Sequence, residues 1–126
     1  MEGGGLSDDL TELTAARLVG LIRRRELTPV EVLEAFVERA DELNARLNAV
    51  VTFAPDALES ACRAERAVMR GEELPPLCGL PVTVKDTIDT AGLRTTRGSR
   101  AFADSVPTKD AAAVARLRAA GAIIFG

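Results

Sequence analysis

The sequence predicts an α/β fold, with a helical segment to about residue 71 followed by a βαβ portion over residues 79–126. Three observations carry that prediction. Apolar residues recur at helical spacing in three stretches before Gly71. In "LPVTVK", Leu80, Val82 and Val84 alternate with Pro81, Thr83 and Lys85, the period of a strand. Further on, "DAAAVARLRAAG" followed by "AIIF" reads as a helix running into a second, buried strand. Strands joined through such a helix are parallel, with a right-handed crossover.

Taken in chain order, residues 1–9 are acidic and glycine-rich and are expected to form a disordered lead-in. They lack the basic and apolar regions of a secretory signal. Thr14 is placed to cap a first helix, in which Leu18, Leu21 and Ile22 share a face. Arg23 to Arg25 fall in its last turn, where cations suit the helix dipole. Thr28, Pro29 and Glu31 make a capping box, with proline at the first helical position, where its missing N–H costs nothing. A stripe from Val32 through Phe36 and Leu43 to Leu47 continues that second helix. "AVVTF", residues 49–53, reads as a short strand. Pro55 opens a third helix and Gly71 closes it. A proline-containing linker, "EELPPLCG", leads to the first strand of the βαβ portion, and Pro81 fits only near that strand's beginning. From Asp86 to Lys109 there is neither a helical stripe nor a clear strand, and a loop of that length inside a compact domain points to function. Asp110 is expected in the first turn of the following helix, with Val114 and Leu117 facing inward, Gly121 as terminator and residues 122–125 as the second strand.

Composition narrows the chemistry. The chain has 126 residues, the size of one small domain, and its 47% apolar and 28% charged residues suit a globular protein. A net charge of −3 gives no basic footprint for direct nucleic-acid binding. No apolar run approaches the ~20 residues needed to span a bilayer. Cys62 and Cys78 form no C-x-x-C pair and have no histidine to join them, which argues against structural zinc. No metal or organic cofactor is expected. Two reduced thiols in a cytoplasmic protein are expected, a single disulfide being the alternative. The chain has no histidine. Ser-His-Asp and Cys-His mechanisms are therefore closed to it, as is the usual base near neutral pH. Acid–base chemistry carried by this chain falls to a carboxylate or a lysine.

Of the 16 basic residues only Lys85 and Lys109 are lysines. Lys85 stands where an apolar strand runs into the long loop, and ligands of open parallel sheets bind beyond such strand ends. Two readings stand side by side. In one, the stem packs on apolar neighbours and the ammonium reaches water or pairs with Asp86 or Asp89. In the other, the lysine is buried and desolvation makes it neutral, so that it acts as a base.

"GLPVTVKDTIDTAGLRTTRGS" followed by "VPTKDAAAVARLRAAGAIIFG" resembles the N-terminal part of the amidase signature family. That family includes aliphatic and aryl amidases, fatty-acid amide hydrolases and the A subunit of the glutamyl-tRNA amidotransferase. The resemblance runs from about Leu10 and is most specific between Gly79 and Gly126. It implies an amidase-type α/β/α sandwich, of which this chain is the first, incomplete part. It also implies a Ser-Ser-Lys triad. In that triad a neutral lysine relays a proton, through a bridging serine on a cis peptide bond, to a second serine that attacks the amide carbonyl. Lys85 matches the family lysine. The family's serines come from a Gly/Ser-rich segment downstream of a block like "GAIIFG", whereas the serines here are Ser7, Ser60, Ser99 and Ser105, none in a Gly-Ser-Ser-Gly context.

Ser99 matches the family's T-T-x-G-S loop and is expected to serve as a turn residue. Asp86 is expected to pin the loop by hydrogen bonding, and Arg94, Arg97 and Arg100 to form a solvated face. The expected function is the N-terminal portion of an amidase that hydrolyses carboxamides, with Lys85 as the one triad member present. The alternatives are a truncated non-catalytic fragment, one half of a split protein, part of an A-type chain of an amidotransferase, or a small-molecule binding module. The expected partners are a small-molecule amide in the complete enzyme and a complementing C-terminal chain or a second copy, with no direct nucleic acid and no membrane. The expected location is cytoplasmic.

Overall fold

The computed structural model describes residues 9–126. Most of the expected lead-in, residues 1–8, lies outside the described residues. A short 3-10 turn, Leu10–Glu12, precedes helix α1, Ala15–Arg23. Thr14 caps α1, its hydroxyl accepting the Arg17 N–H at 3.2 Å. Helix α2, Pro29–Leu47, begins with the expected capping box. The Glu31 N–H donates to the Thr28 hydroxyl at 3.1 Å, and the Thr28 N–H donates to the Glu31 carboxylate at 2.8 Å. Helix α3 spans Ala57–Met69, and Gly71 follows it at a φ of +69°.

After the linker come strand β1, Pro81–Val82, helix α4, Ala112–Ala119, and strand β2, Ile123–Ile124. The strands pair in parallel, Pro81 opposite Ile123 and Val82 opposite Ile124, as the βαβ reading requires. They are shorter than the apolar runs that announce them. Backbone bonds flank the pair from Leu80, whose carbonyl accepts the Ile123 N–H, to Val84, whose N–H donates to the Gly126 carbonyl. Side chains alternate between two faces, as strand geometry dictates. Ile123 and Phe125 pack with Leu33 and Ala61 of α2 and α3, while Ile124 packs with Val114 of α4 and Leu93. Leu80 joins the core under α1 and α2, and Val84 lies on the α4 side. The fold is α/β, with helices on both faces of the two-stranded sheet.

Two expectations are corrected. Residues 49–53 do not form a strand. The Asn44 side chain accepts the Val50 N–H at 2.9 Å and donates to the Val50 carbonyl at 2.8 Å, taking both groups that a neighbouring strand would need. Asp110 does not lie in the first turn of α4, which begins two residues later. It sits in the loop, accepting the Ala91 N–H at 2.7 Å and lying 3.0 Å from the Arg118 guanidinium in an ion pair without hydrogen-bond alignment. Arg94, Arg97 and Arg100 are all exposed, as a solvated face requires, although two of them also hold partners. Arg94 donates to the Ala103 carbonyl, and Arg97 pairs with Asp89 at 2.7 Å and stacks on the Phe102 ring. Cys62 and Cys78 are both free. Burial pushes the Cys78 thiol up, against the opposing charge of Arg23. Among the described residues no helix is long and apolar enough to cross a membrane.

Candidate active site

Both strands run out at the same end of the sheet, and a cleft of about 540 Å³ opens there. Its walls are residues 49–52, the end of the β1 segment and the loop from Asp86 to Gly98. Asn44, at the end of α2, holds the first wall in place by its two bonds to Val50. Gly126 closes the back, where a Cβ would meet the Val50 side chain at 2.6 Å.

Lys85 stands in this cleft one residue beyond the last ladder bond, and its side chain is exposed. Neither carboxylate offered to it by the sequence is its partner. Asp89 pairs with Arg97, and Asp86 is turned to Thr96. Among the described residues Lys85 makes no ion pair. The pairing with Asp86 or Asp89 is thus absent, and so is the burial that desolvation needs.

The loop is tightly held. The Thr96 N–H donates to Asp86 Oδ1 at 2.8 Å and the Thr96 hydroxyl donates to Asp86 Oδ2. The Arg97 N–H donates to the Asp86 carbonyl at 2.8 Å. The turn that brings these donors together spans Thr96–Ser99, closed by the Ser99 N–H on the Thr96 carbonyl at 3.0 Å. Its central residues, Arg97 and Gly98, have φ values of +55° and +68°, the pattern of a type I′ turn. Two buried threonines satisfy their hydroxyls locally, Thr90 on the Ile88 carbonyl and Thr95 on the Leu93 carbonyl. Ser99 caps the following 3-10 turn, as a turn residue should. Asp86 therefore does pin the loop. Thr96, which supplies two of the three donors, carried no signal of its own in the sequence beyond its place in the T-T-x-G-S block.

Burial would push the Asp86 carboxyl up. The Thr96 hydroxyl and N–H outweigh it, with help from Arg94 and the Gly98 N–H, and hold it below the ordinary carboxylate range. A depressed value in the folded state means that the clamp contributes stability above the unfolded value of about 3.9 and loses it as pH falls through the lower folded value. The Thr96 amide resonance is accordingly expected to titrate with a midpoint below that of a free aspartate. A midpoint at or above it would mean that the carboxylate is not held.

The family model of the amidases, described simply as Amidase, matches residues 31–126. The chain belongs to the amidase family. Among curated relatives, the A subunit of the glutamyl-tRNA(Gln) amidotransferase of Moorella thermoacetica is 42% identical over 119 residues, 94% of this chain and 24% of that protein. Among solved structures, the peptide amidase of Stenotrophomonas maltophilia is 35% identical with a TM-score of 0.88, over 94% of this chain and 25% of that one. A third, described as a vestigial protein complex that reveals the origins of an s-triazine catabolic enzyme, is 29% identical with a TM-score of 0.85, over 90% of this chain and 25% of its own. The chain thus spans about a quarter of the length of the amidase relatives it matches. The helices, the parallel strand pair and the loop are a portion of the amidase α/β fold.

Proposed function

We propose that this chain is the lysine-bearing N-terminal portion of an amidase that hydrolyses carboxamides by a Ser-Ser-Lys mechanism, with Lys85 as the base. The observation that carries the reading is the placement of Lys85: in the cleft beyond the parallel strands, with both neighbouring carboxylates engaged elsewhere. In the proposed reaction Lys85 takes a proton from a bridging serine, which takes one from the nucleophilic serine as that oxygen attacks the amide carbon. The same relay returns the proton to the departing amine, and water then cleaves the acyl-serine. Both serines come from outside the described site, since no serine lines the cleft among the described residues. The complementing segment also supplies the burial that Lys85 lacks here. A cytoplasmic location goes with the two unpaired cysteines.

A second reading is amide transfer of the kind named in the Moorella relative, with glutamine as amide donor and further chains as partners. It is supported by the 42% identity to a protein that bears that name.

The test is turnover. The 126-residue chain alone is expected to release no ammonia from a simple carboxamide or from glutamine. Joined to the remaining three quarters of the Stenotrophomonas maltophilia peptide amidase, it is expected to become active on one of the two. Ammonia released from either amide supports hydrolysis, whereas transfer requires the amide nitrogen of glutamine to appear on an added acceptor in place of free ammonia. Turnover by the lone chain that is lost in Lys85→Ala would overturn the need for an outside serine.

A further inference from the structure

We propose that Asp86 and Thr96 form a latch that positions Lys85 by keeping the neighbouring carboxylate away from its ammonium, which makes Thr96 a positioning residue for proton transfer at Lys85. The role rests on the reading of Lys85 as a base, but the latch itself is tested without turnover.

A lysine that must give up and retake a proton is poorly served by a carboxylate partner, because an adjacent opposite charge favours the charged form. Yet Asp86 follows Lys85 directly, and Asp89 lies four residues on. The structure removes both. Asp89 is occupied by Arg97. Both Asp86 oxygens are occupied by one residue, Thr96, whose N–H and hydroxyl converge on the carboxylate. The hydroxyl is itself oriented, since its oxygen accepts the Gly98 N–H at 3.2 Å and its hydrogen is left for Asp86. The positive φ of Arg97 and Gly98 folds the turn back so that this alignment is reached. The charged groups around Asp86 are Lys85, Arg94, Arg97 and Asp89, all from its own loop, and the opposing wall of residues 49–52 adds none. The latch also explains why the K-D and T-T-x-G-S blocks stand ten residues apart: the second block supplies the donors that tie down the aspartate of the first.

The chain provides its own reference for the test, because Lys109, the other lysine, is exposed and also makes no ion pair. Trace acetylation with acetic anhydride, read by mass spectrometry as the Lys85:Lys109 ratio, reports how free each ammonium is. Thr96→Val releases one Asp86 oxygen, and the ratio is expected to fall by about threefold, the scale of an exposed ion pair. Thr96→Val combined with Asp86→Asn is expected to restore it, and Thr96→Ser to leave it unchanged. Asp86→Asn alone preserves the latch geometry, its amide accepting from the Thr96 N–H and donating to the hydroxyl, and is expected to leave the ratio as it was. An unchanged ratio in Thr96→Val, or a severalfold rise in Asp86→Asn alone, overturns the proposal. The second variant decides the matter if Thr96→Val does not fold. None of these readouts needs an active amidase, so an inactive joined enzyme would count against the functional reading and not against the latch.

Discussion

Lys85→Arg is expected to lower amide turnover by roughly 10²–10⁴-fold, the contribution of a positioned general base. The setting is the enzyme in which this chain is joined to a serine-bearing segment. Arginine keeps the reach of lysine, and within this chain Lys85 is exposed in the cleft and unpaired, so the substitution breaks no contact made by this chain. What it removes is the ability to shed a proton, which a guanidinium does not do in proteins. The far-ultraviolet circular dichroism spectrum should therefore match that of the unmodified enzyme while turnover collapses. Turnover of Lys85→Arg within a few-fold of the unmodified enzyme would reduce Lys85 to a surface cation and would sink the proposed mechanism. The size of the effect also separates catalysis from binding, since loss of a uniform substrate contact raises KM and leaves kcat alone.

The second large effect is one of stability. Gly121→Ala is expected to destabilise the chain by about 2–5 kcal/mol, from a left-handed backbone that costs a side chain 1–2 kcal/mol and overpacking that costs 1–3. Gly121 has a φ of +91°, and a Cβ placed there would lie 2.6 Å from Pro75 Cγ, 3.0 Å from Cys78 Cα and 3.1 Å from Cys78 N. Two of those neighbours are backbone atoms, and the backbone cannot retreat. The Leu77 N–H donates to the Ala120 carbonyl at 2.7 Å and the Gly79 N–H to the Gly121 carbonyl at 3.1 Å, sewing the linker to the end of α4. That seam brings β1 beside β2, and so places Lys85. A loss of this size is a large share of an ordinary domain's stability of about 5–15 kcal/mol. Urea denaturation measures it, with Gly98→Ala as the comparison: Gly98 has a φ of +68° but nothing within 4 Å of its Cβ position, so only the backbone cost of about 1–2 kcal/mol applies. Equal losses at the two positions would show that contact with Pro75 and Cys78 is not the cause.

How far the site could be read in advance depended on the distance over which its causes act. Lys85 at the end of an apolar run was visible because alternation is a local property and the run breaks into a loop at that residue. The pinning role of Asp86 was also visible, since short acidic side chains bond nearby backbone in loops. Its partner was not, because which of the loop's donors reaches Asp86 depends on two positive-φ residues, one of them an arginine. The partners of the loop's arginines lay hidden for the same reason. Arg94 and Arg97 are exposed as expected, but their acceptors, the Ala103 carbonyl and Asp89, come within reach only once the loop has folded.

The amino-acid sequence by itself settled the elements whose signals lie within one or two turns of chain. The caps at Thr14 and Thr28 are made by donors and acceptors three residues apart, and each formed as written. The period of "LPVTV", the helix after it and the apolar "AIIF" were enough for a parallel βαβ pairing, because the crossover leaves no other arrangement. Residues 49–53 show the limit. Their composition suits a strand, but a strand exists only if its backbone groups meet a neighbour, and Asn44 on α2 claims those of Val50 first. Lys85 shows it again. Residue type and position nominate it, whereas its freedom from Asp86 and Asp89 is a matter of where Thr96 and Arg97 come to lie after the loop has closed. Hydrogen bonds and ion pairs go to whichever partner folding brings within about 3 Å, and that proximity is a property of the packed chain.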